Sequence, residues 1–116
     1  MEHLEHLEHL EYDTLNTLRE VMEDDFALLI DTFVQDSADR IRTLREVIQG
    51  SDGDLIRRAA HSFKGSSSNI GAPRLAALCS ALEKKALENN LDGLLVDLEA
   101  IEQEFAQVTV SLRSFS

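Results

Sequence analysis

The sequence predicts an all-α protein, an antiparallel four-helix bundle with a short additional N-terminal helix. Apolar residues recur at spacings of three and four along four long segments, which is the periodicity of helices that bury one face. Leucine and alanine are abundant, and the 116 residues include a single proline, a composition that favours helix. The segments are joined by short polar stretches, which suits antiparallel neighbours.

The first twelve residues read MEHLEHLEHLEY and contain the triplet EHL three times. A period of three does not keep one helix face, because a helix turns once in 3.6 residues. We therefore expect a flexible or partly helical leader in solvent over residues 1–12, ahead of a single domain over residues 13–116. The leader histidines, His3, His6 and His9, have no cysteine or fourth ligand nearby, so a solvated leader is favoured over a metal site.

The domain is predicted to begin with a short helix whose N-cap is Asp13, since aspartate suits that position. A second helix is expected to begin at the acidic residues 24–25, because acids are favoured at helix N-termini. Its apolar positions repeat at helical spacing for more than twenty residues. Gly50 is expected to end it.

Three further helices follow. Ser51 or Asp52 is expected to cap a third helix, which runs from about residue 54 to about residue 69. Pro73 suits the first position of a fourth helix, because its missing N–H has no helical partner there. Spacings that alternate four and three predict a fifth helix, and its inward residues are Leu94, Leu98, Ile101, Phe105, Val108 and Leu112.

The composition excludes several classes of function. A net charge of −11 argues against binding nucleic acid or an anionic membrane surface. No apolar stretch approaches the ~20 residues of a membrane span, and the acidic leader is unlike a signal peptide, so we expect a cytoplasmic protein. Cys79 is the single cysteine; it forms no disulfide framework and is interpreted as a small buried residue.

The acidic chain contains one basic segment, residues 55–82, with four bases and no acid. His61 lies within it. At 100° per residue, His61 falls about 160° from the centre of its helix's apolar stripe, so it is predicted to point outward. That stripe consists of Ile56, Ala59, Ala60, Phe63, Ser67 and Ile70.

The neighbours of His61 favour a functional role over a surface histidine with none. Arg57, Arg58, Lys64 and Ser68 share its helix surface. Gly65 costs about 1 kcal/mol relative to alanine inside a helix, and its physical gain is room for a large group to approach the imidazole. An exposed nucleophile among cations suits a phosphoryl group.

The turn between the third and fourth helices supplies one more residue. Both helices rise about 1.5 Å per residue, so Glu83, after the turn, lies level with His61 before it. A carboxylate at that height is placed to accept a hydrogen bond from Nδ1–H, which leaves Nε2 free as the nucleophile. A plain surface charge is the alternative for Glu83.

The segment HSFKGSS, residues 61–67, followed by IGA at residues 70–72, resembles the signature of histidine-containing phosphotransfer (HPt) domains. FALLIDTFVQDSADRI resembles the helix that precedes it, and the resemblance covers about residues 13 to 112. It implies a four-helix bundle in which His61 is phosphorylated, Lys64 stabilises charge and Gly65 gives clearance. Glu83 departs from the glutamine or other polar group that the family often has at its position.

The resemblance also implies partners. HPt proteins relay a phosphoryl group between aspartates of receiver domains, here those of hybrid sensor kinases and of response regulators. The receiver supplies an acidic pocket and Mg²⁺, so no bound cofactor and no kinase or nucleotide site of its own is expected in this chain. We expect a free-standing, monomeric bacterial relay protein. The residues expected to contact the receiver are Asp36, Arg40, Arg57, Arg58, Phe63, Gly65 and Ser68.

Two other classes stay open at this point. In the dimerisation helix of a histidine kinase an acid usually follows the histidine, whereas Ser62 follows here and no ATP-binding lobe is present. An interaction scaffold would leave His61 idle. Acid-labile phosphorylation of His61 would separate a carrier from a scaffold, and dependence on ATP alone would separate a kinase from a carrier.

Overall fold

A computed structural model describes residues 7–115, and within them every regular element is helical. The elements in chain order are α1 (Tyr12–Met22), a single 3₁₀ turn (Glu23–Asp25), α2 (Phe26–Ile48), α3 (Gly53–Ile70), α4 (Pro73–Leu87) and α5 (Leu94–Phe115). The four long helices pack in the cyclic order α2, α3, α4, α5, and α1 packs on α2. The predicted four-helix bundle with a short additional helix is confirmed.

The helix ends follow local chemistry with one correction. The Asp52 carboxylate caps α3 by accepting from the N–H groups of Asp54 and Leu55, at 3.0 and 3.3 Å. Pro73 opens α4 as predicted. Asp13 is not an N-cap: α1 begins at Tyr12, so Asp13 lies in the first turn, where its charge still favours the helix dipole.

The turn between α3 and α4 is tight. Gly71 has φ of 83°, a left-handed conformation that glycine adopts without the strain a Cβ causes. Its N–H donates to the Ser68 carbonyl, and the N–H of Ala72 donates to the Ser67 carbonyl. This turn returns α4 directly alongside α3, which brings the middle of the two helices to the same level.

The apolar faces meet in one core between the four long helices. Its largest fully buried members include Ile30, Leu44, Ile56, Phe63, Leu75, Leu82, Leu98, Ile101 and Leu112. Phe105, expected to point inward, is half-buried and packs at the core's edge against Phe33. None of the helices between residues 7 and 115 combines the length and hydropathy required to cross a membrane.

The end of the leader corrects the expectation of a solvated segment. Residues 7–11 are not helical, and the Leu10 side chain is 1% exposed. The Glu11 N–H donates to the Gly71 carbonyl at 2.7 Å, and Arg74 donates to the Leu7 carbonyl at 2.7 Å. This part of the leader is therefore held against the bundle, whereas the division into leader and domain at residues 12 and 13 stays a prediction.

A buried acid explains part of this attachment. His9 Nδ1 lies 2.7 Å from Oε2 of Glu104, an α5 residue whose side chain is 7% exposed. His3 and His6 fall outside the described residues. Among residues 7–115, no group of three or more His, Cys, Asp or Glu side chains is placed to hold a metal ion.

Candidate functional site

His61 lies in the middle of α3 on its outer surface. Its side chain is 63% exposed, whereas Ala60 and Phe63 beside it on the helix are fully buried. The outward orientation predicted from the helical wheel is therefore present. The side chains of α3 that face away from His61 belong to the buried apolar core, which is close-packed and so holds the helix that carries the imidazole.

Glu83 on α4 holds one nitrogen of this imidazole. His61 Nδ1 lies 2.6 Å from Glu83 Oε2, and the carboxylate is largely enclosed, with 16% of its side chain exposed. Since an ionised carboxylate accepts hydrogen bonds only, the short contact assigns the proton to Nδ1. Nε2 makes no hydrogen bond to any residue between 7 and 115, and 63% of the His61 side chain is exposed.

Lys64 holds the other oxygen of the same carboxylate. Its Nζ lies 2.8 Å from Glu83 Oε1. The hydrogen bond from Lys64 lowers the pKa of Glu83 below its usual value, and the hydrogen bond from His61 adds to this against the opposing effect of burial. Glu83 is therefore ionised at neutral pH. Three residues on two helices form one hydrogen-bonded chain.

The two arginines that precede His61 on α3 are already paired with an acid. Arg57 Nη2 and Arg58 Nε each lie 2.9 Å from a different oxygen of Asp54, one turn nearer the N-terminus of α3. The hydrogen bond from Arg57 holds the pKa of Asp54 below its usual value. Asp54 lies one position before the basic segment defined from the sequence, residues 55–82. The net positive charge near the imidazole is therefore smaller than that segment indicates.

Gly65 stands in open space, one turn after His61. A Cβ built on it meets no atom of residues 7–115 within 4 Å outside the adjoining backbone of its own helix, so packing among these residues does not require a glycine here. The space beside it is a groove of about 510 Å³ between α2 and α3, and its lining includes Phe33, Asp36, Arg40, Ser62, Gly65 and Asn69. Clearance for an approaching group, the reason proposed from the sequence, fits this surface.

Two of the residues predicted to contact a receiver differ in their exposure to solvent. Phe63 is 0% exposed, so the expectation that its edge meets a partner is wrong; it is a core residue, because its position on the wheel follows the apolar stripe. Ser68 is exposed, as a contact residue has to be.

Cys79 is buried, as predicted, and lies behind the site. Burial, followed by the negative charge of Glu83, raises its pKa to about 12. The thiol is therefore protonated at neutral pH and unreactive.

The comparisons with known proteins agree on one family. A family model described as Hpt domain matches residues 28–110. The phosphorelay protein LuxU of Vibrio harveyi is 36% identical over 73 residues, which are 62% of this chain and 63% of that protein's own length. Histidine-containing phosphotransfer protein 4 of Arabidopsis thaliana is 26% identical over 85 residues, 72% of this chain and 67% of that protein.

Solved structures give the same answer. The histidine-containing phosphotransfer protein B of Pseudomonas aeruginosa PAO1 superposes with a TM-score of 0.89 at 43% identity, covering 91% of this chain and 92% of that one. The maize protein ZmHP2 superposes with a TM-score of 0.77 at 22% identity, covering 89% and 83%, which shows the shared fold. The chain belongs to the Hpt domain family, the histidine phosphotransfer proteins of two-component phosphorelays.

Proposed function

We propose that this protein carries a phosphoryl group on Nε2 of His61 between the aspartates of receiver domains in a multistep phosphorelay. The observation that carries the proposal is the free, exposed Nε2 of an imidazole whose Nδ1 is bound at 2.6 Å by a charged carboxylate. A histidine fixed in one tautomer presents its nucleophile in one direction.

The transfer of the phosphoryl group from aspartate to histidine needs no further reactant. The Nε2 lone pair attacks the phosphorus of an aspartyl phosphate, an N–P bond forms, and the P–O bond to the aspartate breaks. The aspartate leaves as a carboxylate, and the Nδ1 proton stays on a ring that has become positively charged. The ionised Glu83 at Nδ1 stabilises that charge, and the reverse steps deliver the phosphoryl group to the next aspartate.

Lys64 acts in this proposal through Glu83. Its ammonium group neutralises the far oxygen of the carboxylate and fixes its rotation, and its side chain remains 34% exposed, so it can also face the negative phosphoryl group. The partner receivers, of hybrid sensor kinases and of response regulators, supply Mg²⁺ and the acidic pocket. This chain supplies the imidazole as a monomer and has no kinase activity of its own.

The test is transfer of labelled phosphate to His61. A screen of phosphorylated receiver domains from the source genome is expected to label the wild-type chain and not His61→Gln. Phosphoramidate, a small donor that needs no docking, is expected to label the wild type and not that variant. His9→Gln is the matched control, because it removes a histidine away from the site, and it is expected to keep both reactions.

The proposal fails if His61→Gln still acquires acid-labile phosphate from a receiver. Labelling of the purified chain by ATP and Mg²⁺ alone would show instead that it is a kinase. If neither phosphoramidate nor any receiver labels His61, the histidine is idle and the chain is an interaction scaffold. Circular dichroism of each variant is expected to show unchanged helix content, because the His61 side chain makes no core contact.

A further inference from the structure

The basic side chains on the His61 surface differ in whether their charge is already neutralised. Arg57 and Arg58 share Asp54, and Lys64 is bound to Glu83. A cation with a carboxylate already beside it offers less to an incoming acid, because the two charges cancel at a distance.

Arg40 on α2 is the exception. Its Nη1 donates to the hydroxyl of Ser62, the residue that follows His61. Within residues 7–115 no carboxylate lies at ion-pair distance from its guanidinium, and its buried Nε has no hydrogen-bond partner there. Its positive charge therefore lies at Ser62, one residue after His61, with no carboxylate of residues 7–115 in an ion pair with it.

The two acids nearest Arg40 in sequence form no ion pair with it. Asp39 is occupied by Arg42, at 3.0 Å. Asp36, one helical turn earlier, lines the same groove as Arg40 but forms no ion pair with it. Arg40 also lines a second hollow of about 230 Å³ with Asp39, Thr43, Ala59 and Ser62, so its side chain borders two depressions.

The net charge of the whole chain makes Arg40 important for the orientation in which an acidic partner docks. With a net charge of −11, most of the surface repels an acidic partner, and a receiver has acids around its phosphorylation site. A guanidinium carries five N–H donors in a planar fork that matches a carboxylate, and the Ser62 contact occupies only part of it. A guanidinium without a neutralising acid, on a surface that otherwise repels acids, favours one docked orientation of the receiver over others.

We propose that Arg40 determines specificity by binding a carboxylate on the surface of the receiver domain that covers His61. This inference rests on the proposed function and adds the chemistry of recognition. Because Arg40 contacts Ser62 and not the imidazole, it acts on docking and leaves the reactivity of His61 unchanged.

The experiment uses a receiver found in the screen and compares four full-length variants. Arg40→Ala removes the cation, and Arg40→Lys keeps its charge without the fork. Arg42→Ala is the matched control, since Arg42 lies two residues away on α2 and is paired with Asp39. Asp36→Asn removes a negative charge from the same groove.

The expected results separate docking from chemistry. Arg40→Ala raises the half-saturating receiver concentration about fivefold and weakens its dependence on salt, with maximal transfer rate and phosphoramidate labelling unchanged. Arg40→Lys recovers part of the loss. Arg42→Ala matches the wild type, and Asp36→Asn lowers the half-saturating concentration. Thermal melting checks that each variant is folded.

Three outcomes overturn the inference. Arg40→Ala transfers like Arg42→Ala, or it loses labelling by phosphoramidate as well, or Asp36→Asn weakens docking as much as Arg40→Ala does. In each of these cases the wild type still transfers, so the proposed function stands. If the wild type accepts phosphate from neither source, the proposed function fails and this inference fails with it.

Discussion

Replacing Gly65 separates the stability of the bundle from its function. In the interior of α3 glycine costs about 1 kcal/mol relative to alanine, and a Cβ at this position meets no atom of residues 7–115 within 4 Å beyond its own helix. Gly65→Ala is therefore expected to raise the free energy of unfolding by about 1 kcal/mol, which raises the melting temperature by roughly 4 °C. Gly65→Arg is expected to be similarly stable, because arginine is a good helix former.

The arginine introduced by Gly65→Arg is expected to abolish transfer from a receiver, because its side chain occupies the space over the groove beside His61. Urea unfolding gives the stability, and the initial rate of labelling from a phosphorylated receiver gives the function. Ala106→Arg is the matched control, since Ala106 is exposed on α5, diagonally across the bundle. If Gly65→Arg accepts phosphate as fast as the wild type, clearance does not explain the glycine.

Three further predictions concern stability, measured by urea unfolding. Leu10→Ala removes a leucine that is 1% exposed and is expected to cost about 2–3 kcal/mol; a loss below about 0.5 kcal/mol would mean that the leader is not anchored. Asp52→Ala removes the α3 cap and is expected to cost about 1 kcal/mol, with Asp52→Asn nearly neutral. Since the pKa of Glu83 is lowered from 4.5, its ionised form stabilises the folded state fully above pH 4.5. The stability difference between wild type and Glu83→Gln should stay constant there and shrink as the pH falls below that value, and a difference unchanged down to pH 3 would contradict this.

Several features of the fold and the site were predictable because they depend on local order along the chain. The helix that carries His61 has its apolar residues at regular spacing, so the opposite direction of His61 follows from the pitch of a helix. The level of Glu83 follows from equal rise on both sides of the Gly71 turn. The caps at Asp52 and Pro73 depend on chemistry within a few residues.

Other features depend on contacts between residues far apart, which no local pattern records. The apolar spacing of α5 predicts that Phe105 is buried, whereas its neighbour Glu104 occupies the buried position. The burial of Glu104 depends on His9 and Arg74, which approach it from the leader and from α4. The anchoring of Leu10 likewise depends on where the Gly71 turn ends in space. The EHL triplets predict a solvated leader, and they carry no signal for the contact that residues 7–11 make with the bundle.

The sequence by itself determined the helices and the outward direction of His61, since both follow from residue order and helical geometry. Its resemblance to the HPt signature indicated the family. Only the tertiary structure decided which basic side chains are neutralised by a neighbouring acid. It pairs Arg57 and Arg58 with Asp54 and joins Lys64 to Glu83, whereas no acid between residues 7 and 115 forms an ion pair with Arg40. The physical reason is that a charge is neutralised by what lies within a few ångströms of it, and the packing of separate helices sets those distances.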